Sequence, residues 1–192
     1  MLKSLNERIP ETTPAAQLQV RMGKMDHDGI LVMERIDEIL TLCDRNHPLY
    51  EQVSSFSVVL YALGYFDCQD FMSFHDISVF EAAQILQEQF TPVDQNDISL
   101  DYRLTESGER YLLVVGDPLF PSHFALLVDN NGERPYFSKL PLFGAGYDSR
   151  EELLTEFCGK EGVTPHDFRF FRKNWTAKIP PSALGRIYIV KD

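Results

Sequence analysis

The sequence predicts an α+β fold, in which a helical N-terminal half packs with a mostly antiparallel sheet of about five strands. Two observations lead to this prediction. Apolar residues recur at helical spacing up to about residue 92, whereas short alternating or continuously apolar runs follow from residue 98 onwards. Helices followed by strands are typical of α+β domains, because alternating α/β folds interleave the two element types.

The chain length of 192 residues suits one compact unit with a loose arm. We expect residues 1–25 to form a flexible N-terminal arm, residues 26–92 a helical subdomain, and residues 98–192 a sheet with one or two covering helices. No apolar run reaches the ~18 residues that a membrane span needs, and the first residues lack the apolar stretch of a signal peptide. These features predict a cytoplasmic protein that does not enter the membrane.

The net charge of −11 bears on the class of partner. General nucleic-acid binding depends on Lys and Arg side chains that neutralise phosphates, so it is disfavoured here. The sequence holds no full dinucleotide or phosphate-loop motif, and we expect no cofactor. A protein is the predicted partner.

Three helices are predicted in the N-terminal half. The first follows Asp28, and its apolar face consists of Val32, Ile36, Ile39, Leu40 and Cys43. The second extends from Leu49 to Leu63, with Gly64 as its C-terminal stop. The third begins near Ser78 and carries Phe80 on its apolar stripe.

Two hairpins are predicted after the helices. Residues 98–105 pair with residues 110–116 across a short loop that contains glycine. Residues 123–129 pair with residues 134–140, and Asn131-Gly132 supplies the positive φ angles of a tight turn. The apolar runs within residues 110–116 and 123–129 indicate central strands that are covered on both faces.

The C-terminal region is predicted to hold two helices and a last strand. Ser149 and Glu152 form a capping box for a helix that ends near Gly159. A short helix opens at Thr164 and runs through residues 165–171, and residues 186–190 return to the sheet.

The favoured functional prediction is a non-catalytic binding or adaptor protein that uses a basic, aromatic segment. Arg169, Arg172, Lys173 and Trp175 interleave with phenylalanines, and Arg and Trp are enriched at binding hot spots. On a helix, the aromatic side chains would pack on the sheet and the basic ones would face a partner. An amphipathic helix with an ordinary basic face gives the same pattern.

A thiol hydrolase is the first alternative. Cys68 in "FDCQDF" precedes His123, which opens a strand after the Gly-Asp turn of "VVGDPLFPSHFALLVD". This order resembles the NlpC-type branch of the papain-like thiol hydrolases, which implies Cys68 as nucleophile and His123 as base. The family's Ser-Gly pair after the cysteine is replaced by Gln69-Asp70.

Charge and distance weigh against this alternative. Asp67 and Asp70 would raise the pKa of the Cys68 thiol by like-charge repulsion, which disfavours a thiolate. Asp129 would lie roughly 20 Å from His123 along one strand, too far to orient the imidazole. Free cysteine is also among the most buried residue types, so packing is an equally ordinary role for Cys68.

A zinc-stabilised binding module is the second alternative. Cys43 and His47 share a helix face if the first helix continues that far, and Cys68 and His75 supply another Cys/His pair. Two Cys and two His complete a tetrahedral structural zinc site. The spacing between Cys68 and His75 belongs to no established zinc motif, and Pro48 distorts the helix end that carries His47.

Overall fold

The computed structural model of the chain describes residues 29–46, 53–66, 68, 70–73, 75–160 and 162–174. Within these residues it contains four helices: α1 (Gly29–Cys43), α2 (Ser55–Ala62), α3 (Val79–Gln89) and α4 (Arg150–Phe157). The strands are β1 (Phe90–Val93), β2 (Tyr111–Asp117), β3 (Phe120–Leu127), β4 (Tyr136–Lys139), β5 (Ala145–Asp148) and β6 (Phe168–Lys173). The α+β prediction is confirmed, although the described residues form six strands rather than about five.

The strands form one sheet in the order β1-β6-β2-β3-β4-β5, and every neighbouring pair is antiparallel. The inner strands β2 and β3 are buried on both faces, as their apolar runs predicted. Helices α1, α2 and α3 cover one face, which we call the helical face, and α4 covers the opposite face.

Each face of the sheet has its own apolar core, and alternate residues of β2 and β3 belong to different cores. Leu112, Val114, Phe124 and Leu126 pack on the helical face. Leu113, Val115, Ala125 and Leu127 pack with Leu153 and Phe157 of α4. Burial of one such large side chain contributes about 1.5–3 kcal/mol. The first core holds α1, α2 and α3 on the sheet, and the second holds α4.

Helix α2 lies at the centre of the helical face, where every one of its residues is buried. It begins at Ser55 rather than at Leu49, because the Ser54 side chain caps it by accepting a hydrogen bond from the Ser57 N–H. The Asp76 carboxylate then accepts hydrogen bonds from the Ser54 N–H and hydroxyl, which ties the chain before α3 to the start of α2.

The first predicted hairpin is wrong. Residues 98–105 form turns, and their only bridge among the described residues joins Arg103 to Asp129. The side chains of Tyr102 and Leu104 are buried, but Leu100 is 80% exposed, so the apparent alternation is not that of a strand face. The strand β2 instead pairs with β3 and β6.

The second predicted hairpin is confirmed, because β3 pairs with β4 through Leu126↔Phe137 and Leu127↔Tyr136. Its connection is longer than the predicted tight turn, and Gly132 does not have a positive φ angle. The Asp129 carboxylate accepts a hydrogen bond from the Asn131 N–H and stabilises the loop instead.

The predicted helix over residues 165–171 is also wrong. Only the turn Pro165–Asp167 is helical, of the 3-10 type, and Phe168–Lys173 forms β6 between β1 and β2. The strands β1 and β5 at the two edges were not predicted; Pro92 is accommodated in β1 because an edge strand tolerates a residue without an N–H. The predictions for residues 1–25 and 186–190 lie outside the described residues.

The predicted capping box of Ser149 and Glu152 is confirmed at the start of α4, which ends at Phe157. None of the helices in the described ranges is both long and apolar enough to cross a membrane.

Candidate protein-interaction surface

Five large apolar side chains are exposed at one end of the sheet. They are Phe80 (67% exposed), Leu119 (54%), Phe120 (57%), Leu142 (77%) and Phe143 (52%). We call these five residues the apolar end. In the part of the chain that the structure describes, only Ile30 and Leu100 are comparably exposed, and they lie elsewhere.

The topology of the sheet brings four of these side chains to the same end. The strands β2 and β4 run in the same direction. The β2–β3 turn and the β4–β5 turn therefore lie at the same end of the sheet. The tripeptide Pro-Leu-Phe occurs at both places: residues 118–120 form the first turn and the start of β3, and residues 141–143 lie within the second turn. Measured across the strand direction, two strand spacings, or roughly 10 Å, separate the turns.

The β2–β3 turn is held in a defined conformation. The Asp117 carboxylate accepts a hydrogen bond of 2.9 Å from the Leu119 N–H. A register shift follows Val115, and Gly116 has a φ of 95°, which favours glycine. A Cβ atom at Gly116 would lie only 2.9 Å from the Ser122 Oγ. The turn therefore presents Leu119 and Phe120 from a fixed backbone.

The β4–β5 turn is equally constrained. Leu142 has a φ of 59°, in the left-handed region that costs a side chain of this kind about 1 kcal/mol or more. Gly144 passes so close to the end of α1 that an added Cβ would lie 1.9 Å from the Asp44 carbonyl oxygen. The strained leucine is the most exposed side chain of the apolar end, which associates the strain with a binding surface.

Phe80 joins the apolar end from the helical face. The capping box of Ser78 and Glu81 fixes the start of α3, and the Phe80 ring meets the Phe120 ring edge to face at a centroid distance of 5.6 Å. The prediction that Phe80 lies on the apolar stripe of its helix is wrong, because Phe80 shares the exposed side with Gln84 and Gln87.

Acidic residues lie beside the apolar end. Asp117 directly precedes the β2–β3 turn, Glu81 follows Phe80, and the backbone of Asp44 lies against the β4–β5 turn. Of the described cations, Arg45 forms an ion pair with Asp148, and Lys139 is only 3% exposed.

The basic residues predicted to bind a partner belong to β6, and their side chains lie on both faces of the sheet. The register places Arg169 opposite Val114 on the helical face and Arg172 opposite Tyr111 on the other face, because strand side chains alternate. Lys173 is 5% exposed, and its ammonium group lies 4.6 Å from the centroid of the Tyr65 ring.

The exposed arginines of this segment have acidic neighbours. Arg169 lies 3.4 Å from the Asp167 carboxylate, and Arg172 lies 3.3 Å from the Glu109 carboxylate. Trp175 falls outside the described residues. The structure does not gather Arg169, Arg172 and Lys173 on one face.

Cys68 and His123 lie on opposite faces of the sheet. Cys68 packs against the core of the helical face. The His123 ring lies on the other face, where its centroid is 4.6 Å from the centroid of the Phe157 ring of α4. Burial lowers the pKa of His123 to about 3, and the positive charges of Lys139 and Arg45 add to this effect. The sheet separates the thiol from the imidazole, so these two residues do not form a nucleophile and base pair.

The three predicted zinc ligands that the structure describes are not grouped to hold a metal ion. Cys43 is fully buried in the core of the helical face, Cys68 is half-buried, and His75 is exposed. His47 lies outside the described residues. Among the residues that are described, no group of three or more His, Cys, Asp and Glu side chains is placed to hold a metal ion.

A polar cluster that the sequence did not suggest lies at the β5 edge of the sheet. Arg45 crosses over Gly146 to pair with Asp148, and the Ser138 hydroxyl donates a hydrogen bond of 2.7 Å to the same carboxylate. Burial raises the pKa of Asp148, and its two hydrogen bonds partly oppose that rise. The cluster fastens the end of α1 to the sheet, and its Asp148 carboxylate is fully buried.

A shallow polar cleft of about 260 Å³ lies away from the apolar end. Its lining residues are Asp97, Ser99, Asp101, Tyr102, Arg103, Glu106, Ser107, Glu109 and Tyr111. The polar groups bond mostly to one another: Ser99 donates to Asp101, and Arg103 pairs with Glu106 and Asp129. The cleft therefore offers few groups to a ligand.

The apolar end could be recognised in the sequence only through its doubled Pro-Leu-Phe tripeptide, since each copy begins after one strand of a hairpin ends. No family model, curated protein or solved structure matches this chain.

Proposed function

We propose that this chain is a non-catalytic binding protein of the cytoplasm that engages a protein partner through its apolar end. The observation that carries the proposal is the exposure of Phe80, Leu119, Phe120, Leu142 and Phe143 at a single end of the fold. Single exposed apolar side chains are ordinary on protein surfaces, whereas a cluster of them indicates an interaction site.

The backbone of this surface supports the same proposal. Residues whose conformation is already fixed lose less entropy on binding than residues of a flexible loop. The hydrogen bond from Leu119 to Asp117 and the ring contact of Phe80 with Phe120 supply this preorganisation. Burial of the exposed part of each side chain would contribute about 1 kcal/mol or more to association, at about 25 cal/mol per Å².

Two further features favour binding over catalysis in a reducing compartment. Cys68 and His123 lie on opposite faces of the sheet, so the alternative thiol hydrolase lacks its dyad. All the cysteines are free thiols, which is the usual state in the cytoplasm.

The test compares variants at the two ends of the molecule. Wild-type protein is immobilised, captured proteins are identified by mass spectrometry, and the affinity of each purified candidate is measured by calorimetry. We expect the double variant Phe80→Ser/Phe120→Ser to weaken the relevant complex at least 100-fold, because hot-spot aromatics each contribute about 2 kcal/mol or more.

The matched control is Ile30→Ser/Leu100→Ser, which removes two side chains of similar exposure outside the apolar end. The control should retain wild-type affinity. The proposal fails if no captured protein distinguishes the two double variants.

A further inference from the structure

We infer that α4 is an acid-sensitive cover, which leaves the sheet when His123 is protonated while α1, α2 and α3 stay packed on the helical face. The inference goes beyond the proposed function and does not depend on it. It is carried by the position of the imidazole between β3 and α4 and by the small number of residues that attach α4 to the sheet.

The His123 imidazole is enclosed beneath α4. His123 lies opposite Val115 of β2, which belongs to the core that α4 covers. The imidazole is 1% exposed, and its centroid is 4.6 Å from the centroid of the Phe157 ring. Its Nε2 atom is buried and has no hydrogen-bond partner among the described residues. An imidazolium donates from both ring nitrogens, so this closed arrangement suits only the neutral ring.

The charged groups around the imidazole also oppose its protonation. Burial has the largest effect on the pKa of His123, and the positive charges of Lys139 on β4 and Arg45 at the end of α1 lower it further. Asp148 of β5 pairs with Arg45. The groups that β2 and α4 place against the ring are apolar, and no ionisable side chain of α4 contributes to this shift of the pKa.

Helix α4 is attached to the sheet through few residues. Of its eight residues only Leu153 and Phe157 are buried, whereas every residue of α2 is buried. The ion pair of Glu152 with Arg134 is exposed and contributes little. Elements with few buried contacts open at a lower free energy than the whole fold. Because α1, α2 and α3 pack on the other core, release of α4 leaves that core intact.

Protonation and opening are therefore linked. The pKa of His123 is about 3 in the closed structure, whereas an imidazole released to solvent has its ordinary pKa of 6.5. Between these values the open state binds a proton that the closed state does not, so a lower pH favours opening. From pH 7 to pH 5 the equilibrium constant for opening should rise about 25-fold.

Amide hydrogen exchange of the full chain, measured by NMR at pH 7 and pH 5 and corrected for intrinsic rates, tests this inference. The Leu153 and Cys158 N–H groups donate to the carbonyls of Ser149 and Leu154 and report on α4. At both pH values they should give a larger opening constant than the amides of β2, and their constant should rise about 25-fold at pH 5. Equal constants for α4 and β2 would mean that α4 opens only when the whole protein unfolds and would overturn the inference, as would a constant that does not change with pH.

Variants assign the effect to the imidazole. His123→Gln and His123→Leu should each remove the 25-fold rise, because no group remains that the open state protonates. His166→Gln is the matched control and should retain the rise, since His166 is exposed. A rise that persists in either His123 variant would refute the role of this residue.

A measurement on the wild-type protein decides the question even if neither His123 variant folds. The Cε1–H resonance of His123 should keep the chemical shift of a neutral imidazole from pH 7 to pH 5, because the closed state excludes the proton. A resonance that titrates near pH 6.5 in the folded protein would show that the closed state accepts the proton, and the inference would then be wrong.

Discussion

The rings of Phe80 and Phe120 meet edge to face at 5.6 Å, although each side chain is more than half exposed. Phe80 belongs to α3 and Phe120 is the first residue of β3, so the contact joins the helical half of the fold to the tip of a hairpin. Such a contact favours one arrangement of the two rings, and an apolar pair that is already arranged is a better binding surface than two independent side chains.

The Phe80–Phe120 contact should matter little for folding. Because both rings are exposed, we expect Phe80→Ala and Phe120→Ala each to lower the free energy of unfolding by less than about 1 kcal/mol. A double-mutant cycle measured by urea denaturation should give a coupling of about 0.5 kcal/mol, near the lower value for aromatic pairs. A loss above about 2 kcal/mol for either single variant would mean that the pair is part of the core.

Gly144 should tolerate no side chain. An added Cβ would lie 1.9 Å from the Asp44 carbonyl oxygen, a backbone atom that cannot move without displacing the end of α1. We expect Gly144→Ala to lower the free energy of unfolding by more than about 2 kcal/mol, as overpacking does elsewhere. The control is Gly108→Ala, since nothing lies within 4 Å of a Cβ at that position. Similar melting temperatures for the two variants would contradict the close approach.

Features set by neighbouring residues could be predicted from the sequence. The capping box of Ser149 and Glu152 involves residues three apart, and it starts α4 as expected. The central position of β2 and β3 was also predictable, because only strands covered on both faces are apolar at successive positions.

Features that depend on distant pairing could not be predicted. The strand β6 is buried between β1 and β2, so apolar residues occur on both of its faces, and Phe168 and Phe171 acquire a spacing that also fits a helix. The apolar end requires the strand order that places the β2–β3 and β4–β5 turns side by side and the packing that brings Phe80 to Phe120. Neither relationship leaves a local pattern.

Asp148 should be essential to stability through its ion pair with Arg45. In Asp148→Asn the Arg45 side chain, which is 26% exposed, remains over Gly146 without Asp148 as its negative partner. Removal of one member of a buried pair costs about 3–5 kcal/mol, and the partial exposure of Arg45 places this case at the lower value. Urea denaturation measures the loss.

The double variant Arg45→Met/Asp148→Asn removes both charges. Its free energy of unfolding should fall by about 1 kcal/mol or more less than the sum of the losses in the two single variants. The reason is that the double variant leaves no unpaired buried charge. Additive losses would show that the two residues act independently.

His123 should make stability depend on pH. The imidazole has an ordinary pKa of 6.5, and burial lowers its pKa in the folded protein to about 3. Between these values the unfolded chain binds a proton that the folded protein does not, so stability is complete above pH 6.5 and falls as the pH decreases towards 3. From pH 7 to pH 5 the expected loss is about 2 kcal/mol.

Two variants assign this pH dependence to its source. His123→Gln should remove the loss between pH 7 and pH 5, because no imidazole remains to be protonated in the unfolded chain. His166→Gln should retain it, because His166 is exposed. The raised pKa of Asp148 acts in the opposite direction at lower pH, and comparison of each variant with wild type at the same pH cancels this contribution. Urea denaturation at both pH values gives the slopes; an unchanged slope in His123→Gln would mean that the buried imidazole is not the group that the unfolded chain protonates.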